Sequence, residues 1–102
     1  MIKNIRKKSI TQEKNLAKKM NGYTRPASGA VAGLRGDVVA DDFLVECKYT
    51  DKDIFNLKSK IWEKIKNEAF DNNKQPLINL KFLKKNIDLI IIDFNDFHKY
   101  FL

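Results

Sequence analysis

Two carboxylates and a lysine near the middle of the chain have the residue types that metal-assisted hydrolysis uses. Asp37 is followed nine residues later by Glu46, and Lys48 comes two residues after Glu46. Successive side chains of a strand point to opposite faces, so a strand here would place Glu46 and Lys48 on one face and Cys47 on the other. The chemistry then depends on whether Asp37 reaches the face of Glu46.

The turn between two predicted strands decides where Asp37 lies. The sequence pattern predicts two strands, at residues 37–40 and 43–49, and the two aspartates between them form the turn. A symmetric turn at this point pairs residues whose numbers add up to 83, as those of Asp37 and Glu46 do. Their Cβ atoms would be about 4.5–5.5 Å apart, and like charges placed directly opposite each other destabilise a sheet.

A divalent cation would relieve this repulsion. Mg²⁺ favours one or two carboxylates together with water and phosphate oxygens. Phosphodiester hydrolysis needs an attacking water, a Lewis acid on the phosphate and relief of the transition-state charge. Two acids, a lysine and Mg²⁺ supply these without a histidine base. The alternative is an ordinary charged strand face, in which Glu46 pairs with a lysine.

The charge of the chain is concentrated in its first third. The 102 residues carry 20 Lys and Arg against 13 Asp and Glu, a formal net charge of +7. Residues 1–35 contain nine basic residues and one acid, Glu13, and the remainder is close to neutral. This asymmetry predicts a polyanionic partner, with nucleic acid ahead of an anionic membrane. A lysine-rich surface that only aids solubility is the alternative.

Several of these basic residues are candidates for contacts with DNA phosphates. Lys14 and Lys18 are one helical turn apart, and residues 1–8 are predicted to form a basic N-terminal arm. Arg25 and Arg35 belong to a glycine-rich loop over residues 22–36. Phosphate contacts position a protein on DNA without reading its sequence.

Composition excludes several other classes of protein. The single cysteine cannot form an intrachain disulfide, and the sequence has no Cys/His cluster for zinc. The longest apolar run, residues 89–92, is far shorter than the roughly 20 residues of a membrane span. We therefore expect one soluble domain, residues 1–102, in the cytoplasm and without a membrane partner.

The first predicted helix positions a further carboxylate. Ser9 as N-cap with Gln12 three residues later predicts a helix that ends near Met20. Glu13 shares the inward face of this helix with the leucine and alanine three and four residues later. A carboxylate on an inward face requires a partner or a cation.

The remaining elements alternate between helices and strands. They are a long helix from residues 50–53 to about 70, strands at 77–83 and 87–94, and a C-terminal helix capped by Asn95 or Asp96. The strand at 87–94 is apolar enough to be buried on both faces. The predicted fold is α/β, in the order α-β-β-α-β-β-α, with a small mixed four-stranded sheet flanked by helices.

The acidic pair and the lysine also resemble a known signature. Asp37 followed by Glu46-Cys47-Lys48 is similar to the D–(D/E)xK pattern of the PD-(D/E)xK nucleases. With Glu13 and the segment Ser28-Gly29-Ala30, the chain resembles their archaeal and phage-type Holliday junction resolvases over roughly residues 9–82. The resemblance implies a restriction-endonuclease-like core and a metal-dependent endonuclease that acts on four-way junctions or other branched DNA.

The resemblance also implies roles for individual residues. Asp37 and Glu46 would bind Mg²⁺, or Mn²⁺ in its place, with the backbone carbonyl of Cys47 and with Glu13 directly or through water. Lys48 would orient the attacking water and stabilise the developing charge. Ser28 would approach the scissile phosphate.

The resemblance implies a homodimer, and the small size with a lysine- and asparagine-rich composition suits a phage protein in the host cytoplasm. Candidate dimer surfaces are Phe55, Trp62 and the apolar C-terminus at 97–102. The alternatives for function are a nicking or restriction-type nuclease on duplex DNA and a non-catalytic nucleic-acid-binding protein.

Overall fold

The structure is a computed structural model that describes residues 2–24 and 37–102, with side chains for residues 10–24 and 38–102. It contains three helices and five strands. In chain order they are α1 (Ile2–Lys19), β1 (Tyr23–Thr24), β2 (Asp37–Ala40), β3 (Phe43–Thr50), α2 (Ser59–Asp71), β4 (Gln75–Phe82), β5 (Ile87–Ile92) and α3 (Phe94–Phe101). The predicted mixed α/β class is confirmed.

The strands form one open sheet in the order β1-β2-β3-β4-β5. Helix α2 connects β3 to β4, which are parallel, and the other neighbouring strands are antiparallel. The expected number of four strands is wrong, because Tyr23 and Thr24 add a short strand to β2. Two residues are too few to show an alternating pattern in the sequence.

The sheet lies between two helical layers. Helix α1 packs Leu16 and Ala17 against one face, which also carries Val38, Val45 and Leu77. Helix α2 packs against the opposite face, where Ile65 and Ala69 meet Val39, Leu44 and Ile78. Val38 and Val39 therefore point to different layers, as alternation along a strand requires.

The end of α1 is held close to β2 by a glycine. Gly22 donates its backbone N–H to the carbonyl of Ala17, 2.8 Å away. A Cβ atom at this position would lie 2.1 Å from the carbonyl oxygen of Val39. A larger residue would therefore push the helix away from the strand, which explains the glycine here.

The last strand differs from its prediction. Strand β5 lies at the edge of the sheet and pairs with β4 alone among the described strands. Its side chains at Ile87, Leu89 and Ile90 are exposed, so the expectation of burial on both faces is wrong. Ile91 and Ile92 pack against the two core clusters, but the described elements leave residues 87–90 exposed.

The helix boundaries differ from the predicted ones for identifiable reasons. Helix α1 begins at Ile2, so residues 2–8 are its first two turns rather than an arm, and Ser9 is not its N-cap. Helix α2 begins at Ser59, because the chain before it is extended up to Lys58. Helix α3 is capped by Asp93, whose carboxylate accepts from the backbone of Asn95 at 2.9 Å. None of the described helices has the length and apolar character needed to cross a bilayer.

Candidate active site at the β2–β3 hairpin

The hairpin has the register predicted from the sequence. Asp37 lies directly opposite Glu46, and the following pairs continue to the turn, where Ala40 lies opposite Phe43. Asp41 takes a left-handed conformation with φ of 49°, which aspartate tolerates better than most residues. The backbone thus places the Cα atoms of the two acidic residues across from each other.

Glu46 and Lys48 lie side by side on the face of the sheet covered by α2. The Nζ atom of Lys48 is 3.3 Å from the Oε2 atom of Glu46, so the prediction that the two side chains share a face is confirmed. The side chain of Glu46 is 12% exposed and that of Lys48 34%. A carboxylate so enclosed needs a cation, and Lys48 provides one.

Cys47, between them in sequence, points to the other layer. Its side chain packs against the α1 core beside Val45 and Leu77. The prediction that Cys47 lies on the other face of the strand is therefore confirmed. The use of its carbonyl as a metal ligand stays a prediction.

A buried network of polar side chains lies on the α1 side of β3. The amide nitrogen of Gln12 on α1 donates to the backbone carbonyl of Lys48 at 2.9 Å and to the Oδ1 atom of Asn79 at 3.0 Å. The amide of Asn79 donates in turn to the carboxylate of Asp88 at 2.6 Å and to the carbonyl of Leu89 at 2.9 Å. The network ties the backbone of Lys48 to strands β4 and β5.

The sequence patterns do not indicate this network. The capping pattern places Gln12 at the start of a helix, and Asn79 falls within the predicted strand at 77–83. Both side chains are buried, with exposures of 4% for Gln12 and 1% for Asn79. The signal that could have revealed them is a polar residue at each of two positions where the core periodicity calls for an apolar one.

Glu13 is buried on α1, with an exposure of 7%, as predicted from its place beside Leu16 and Ala17. Helix α1 approaches the sheet from the layer of Val45 and Cys47. The side chain of Glu46 projects toward the opposite layer. The structure therefore does not bring Glu13 and Glu46 to one face of the sheet, and a shared metal site for them stays a prediction.

Tyr49 follows Lys48 and is the group in this part of the chain with a shifted pKa. Burial, and secondarily the nearby carboxylate of Asp51, raise the pKa of Tyr49 above its ordinary value. Its hydroxyl is therefore protonated at neutral pH and is not available as a general base.

The candidate DNA-binding residues are only partly described. Lys14 and Lys18 are both exposed on α1, as contact with phosphates requires. Arg25, Ser28 and Arg35, and the side chain of Asp37, lie outside the described residues. Their predicted roles stay predictions.

The described side chains do not by themselves form a metal site. Among residues 10–24 and 38–102, no three His, Cys, Asp or Glu side chains are grouped so that they could hold a metal ion. Glu46 and Glu13 are the candidate carboxylate ligands among them, and they lie on opposite faces of the sheet. Comparison with family models, curated proteins and solved structures finds no match for this chain.

Proposed function

We propose that this protein is a metal-dependent DNA endonuclease of the PD-(D/E)xK type. The observation that carries the proposal is the pairing of Asp37 with Glu46, with the ammonium group of Lys48 at 3.3 Å from Glu46 on the same strand. A buried acid and a half-buried lysine on the central strand stabilise the fold less than apolar residues would, so a function is a reason for their presence. The same pattern was the basis for expecting a nuclease.

The proposed roles follow the chemistry of each group. Asp37 and Glu46 would hold Mg²⁺, with Mn²⁺ able to replace it, and the carbonyl of Cys47 would be a further ligand. Glu13 is not part of this set, because α1 lies over the opposite face of the sheet. Bound Mg²⁺ would supply a Lewis acid for the scissile phosphate and lower the pKa of its water. Lys48 would exchange its contact with Glu46 for one with the attacking water or the phosphate oxygens.

The proposed substrate is branched DNA, with four-way junctions first. The position of α1 supports a DNA surface near the site. Gln12 on this helix contacts the carbonyl of Lys48, and ten described residues of the helix precede Gln12. This segment contains Lys3, Arg6, Lys7 and Lys8. Its charge would bind phosphates without selecting a sequence. We propose a homodimer, since two strands of a junction must be cut. The proposed location is the cytoplasm.

Paired variants test the catalytic assignment. We expect Glu46→Gln and Lys48→Met each to reduce Mg²⁺-dependent cleavage of a labelled junction by at least about 100-fold, the range seen for loss of one transition-state contact. Glu63→Gln and Lys60→Met change the same residue types at exposed positions of α2 and should cut normally. Binding measured in Ca²⁺ should persist in all four variants. Full cleavage by both β3 variants would refute the assignment.

A second assay separates the substrate classes. A four-way junction, a flap, a nicked duplex and a linear duplex are offered at equal concentration with Mg²⁺. Preferential cutting of the junction supports a resolvase. Equal cutting of all four would retain the nuclease and support the nicking or restriction-type alternative.

A non-catalytic nucleic-acid-binding protein is the second candidate. The 3.3 Å contact between Lys48 and Glu46 favours it, since the two groups satisfy each other without a metal. On this alternative neither the wild type nor the Glu46→Gln variant cleaves DNA, and the substitution lowers only the stability of the fold. Thermal unfolding with and without Mg²⁺ distinguishes the two, because a metal bound by the native site raises the midpoint of the wild type alone.

A further inference from the structure

A cleft of about 420 Å³ opens on the side of α2 that faces the start of β4 and the start of α3. Its position differs from that of the candidate active site, because β4 begins opposite Phe43 and Lys48 lies toward the far end of β3. The volume lies within the range of about 300–1,000 Å³ that small-molecule sites occupy. A second ligand could therefore bind here without blocking Glu46 or Lys48.

One wall of the cleft is a stripe of aromatic and basic side chains on α2. Trp62, Lys66 and Phe70 line it at intervals of four residues, which places them about 6 Å apart along the helix. Phe70 is 79% exposed, although its side chain is large and apolar. An aromatic ring left in water beside a lysine is a surface suited to a flat ligand that carries negative charge.

Other residues that line the cleft provide hydrogen-bonding groups. The amides of Asn67 and Gln75 and the carboxylate of Asp96 line the cleft. None of these three side chains makes a hydrogen bond or ion pair within the part of the chain that the structure describes. By contrast, Lys74 donates to the carbonyl of Asp41, and Asp93 caps α3. The cleft therefore presents donors and acceptors that the fold itself does not use.

We propose that this cleft binds an unpaired nucleotide. The base would stack on Trp62 or Phe70, and Lys66 would contact the adjoining phosphate. Amides and carboxylates pair with the edges of bases, and every base has a flat face for stacking. The ligand is thus a nucleoside phosphate, either free or within a single strand.

Binding at this site is independent of cleavage at the hairpin, so the two proposals can fail separately. The test uses the wild-type protein without divalent metal, so that no substrate is consumed and Glu46 keeps its contact with Lys48. Trp62 is the single tryptophan of the chain, so its fluorescence reports this cleft directly. The protein is titrated with dAMP, with a single-stranded oligonucleotide of five adenosines, and with deoxyribose 5-phosphate.

We expect the oligonucleotide and dAMP to quench the emission of Trp62 and deoxyribose 5-phosphate to leave it unchanged. Stronger binding of the oligonucleotide than of dAMP identifies a single strand as the source, and the reverse identifies a free nucleotide. Absence of quenching by both would overturn the proposal. So would equal quenching by deoxyribose 5-phosphate, since the base would then contribute nothing.

Variants locate the contacts. Phe70→Leu and Lys66→Ala should each weaken binding of the oligonucleotide by about 5- to 100-fold, as loss of a stacking or phosphate contact does. Phe101→Leu and Lys64→Ala are the matched controls, because both residues are exposed and lie outside the cleft. A loss of the same size in the controls would contradict a defined site. Circular dichroism confirms that each variant is folded.

Discussion

Strands β3 and β5 belong to the same sheet, yet the more polar of the two is the more buried. Strand β3 contains Glu46 and Lys48, and it lies between β2 and β4 with a helical layer over each face. Strand β5 has five apolar residues of six, and four of its six residues are exposed. The order of strands in the sheet, more than the apolarity of each strand, determines what is buried.

The difference has an energetic consequence. An acid and a lysine on a central strand lose hydration that their mutual attraction only partly restores. Apolar residues of the same volume would stabilise this strand better. The charges on β3 and the apolar residues on β5 are therefore two places where the sequence departs from what folding alone favours, and both are candidate sites for function.

The largest expected effect compares one residue type on the two strands. Leu44 on β3 is fully buried and Leu89 on β5 is 43% exposed, and both lie on the face toward α2. Leu44→Ala should lower the free energy of unfolding by about 2–5 kcal/mol through the lost contacts and the cavity. Leu89→Ala should cost less than about 1 kcal/mol, since little area is removed from contact.

Urea unfolding followed by circular dichroism measures both variants under one set of conditions. A variant of Leu44 that is unfolded without urea would meet the expectation as well. Equal losses at the two positions would contradict the contrast between the strands, and would mean that β5 is covered in solution.

The local parts of this contrast were predictable from the sequence. The turn at Asp41 fixes the register of the hairpin, because a strand has a period of two and one residue of slip would reverse every side chain. The pairing of Asp37 with Glu46 and the shared face of Glu46 and Lys48 followed from that arithmetic.

Helical spacing also predicts an apolar stripe for α2, and Ile61, Ile65 and Ala69 pack into the core as expected. Ile54 and Leu57 continue the same spacing, but they precede the helix and are exposed, so this part of the predicted stripe is wrong.

The non-local parts were not predictable in this way. The exposure of β5 depends on which strand ends at the edge of the sheet, and no local pattern encodes that. The burial of Gln12 depends on where α1 crosses β3, so its spacing from Ser9 suggested a cap instead. Helix α1 begins earlier than expected because lysines and arginine at 3–8 are good helix formers even without an apolar stripe.

The next largest effect tests the link between the two strands. Asn79 is 1% exposed and connects Gln12, behind Lys48, to Asp88 and the backbone of β5. Asn79→Leu conserves the volume but removes these bonds. It leaves the buried amide of Gln12 with fewer partners, so we expect a loss of about 1–3 kcal/mol in the free energy of unfolding.

The control is Asn72→Ala, because Asn72 also makes a side-chain hydrogen bond, to the carbonyl of Glu68, but in solvent. It should change stability by less than about 0.5 kcal/mol. A neutral or stabilising effect of Asn79→Leu would mean that the network does not connect β3 to β5. The backbone of Lys48 would then be held by the pairing of the strands alone.

The smallest effect on stability, and the most direct test of the exposed strand, comes from Ile90→Lys. Ile90 is 47% exposed at the edge of the sheet, where many proteins place a lysine to prevent pairing with another chain. The free energy of unfolding should change by less than about 0.5 kcal/mol.

If the proposed homodimer forms through β5, the variant should sediment as a monomer at concentrations where the wild type is a dimer. Tyr23→Lys, at a residue 63% exposed on β1 at the opposite edge of the sheet, should leave the dimer intact. An unchanged dimer in the Ile90 variant would exclude this edge and direct attention to Phe55, Trp62 and the C-terminal helix.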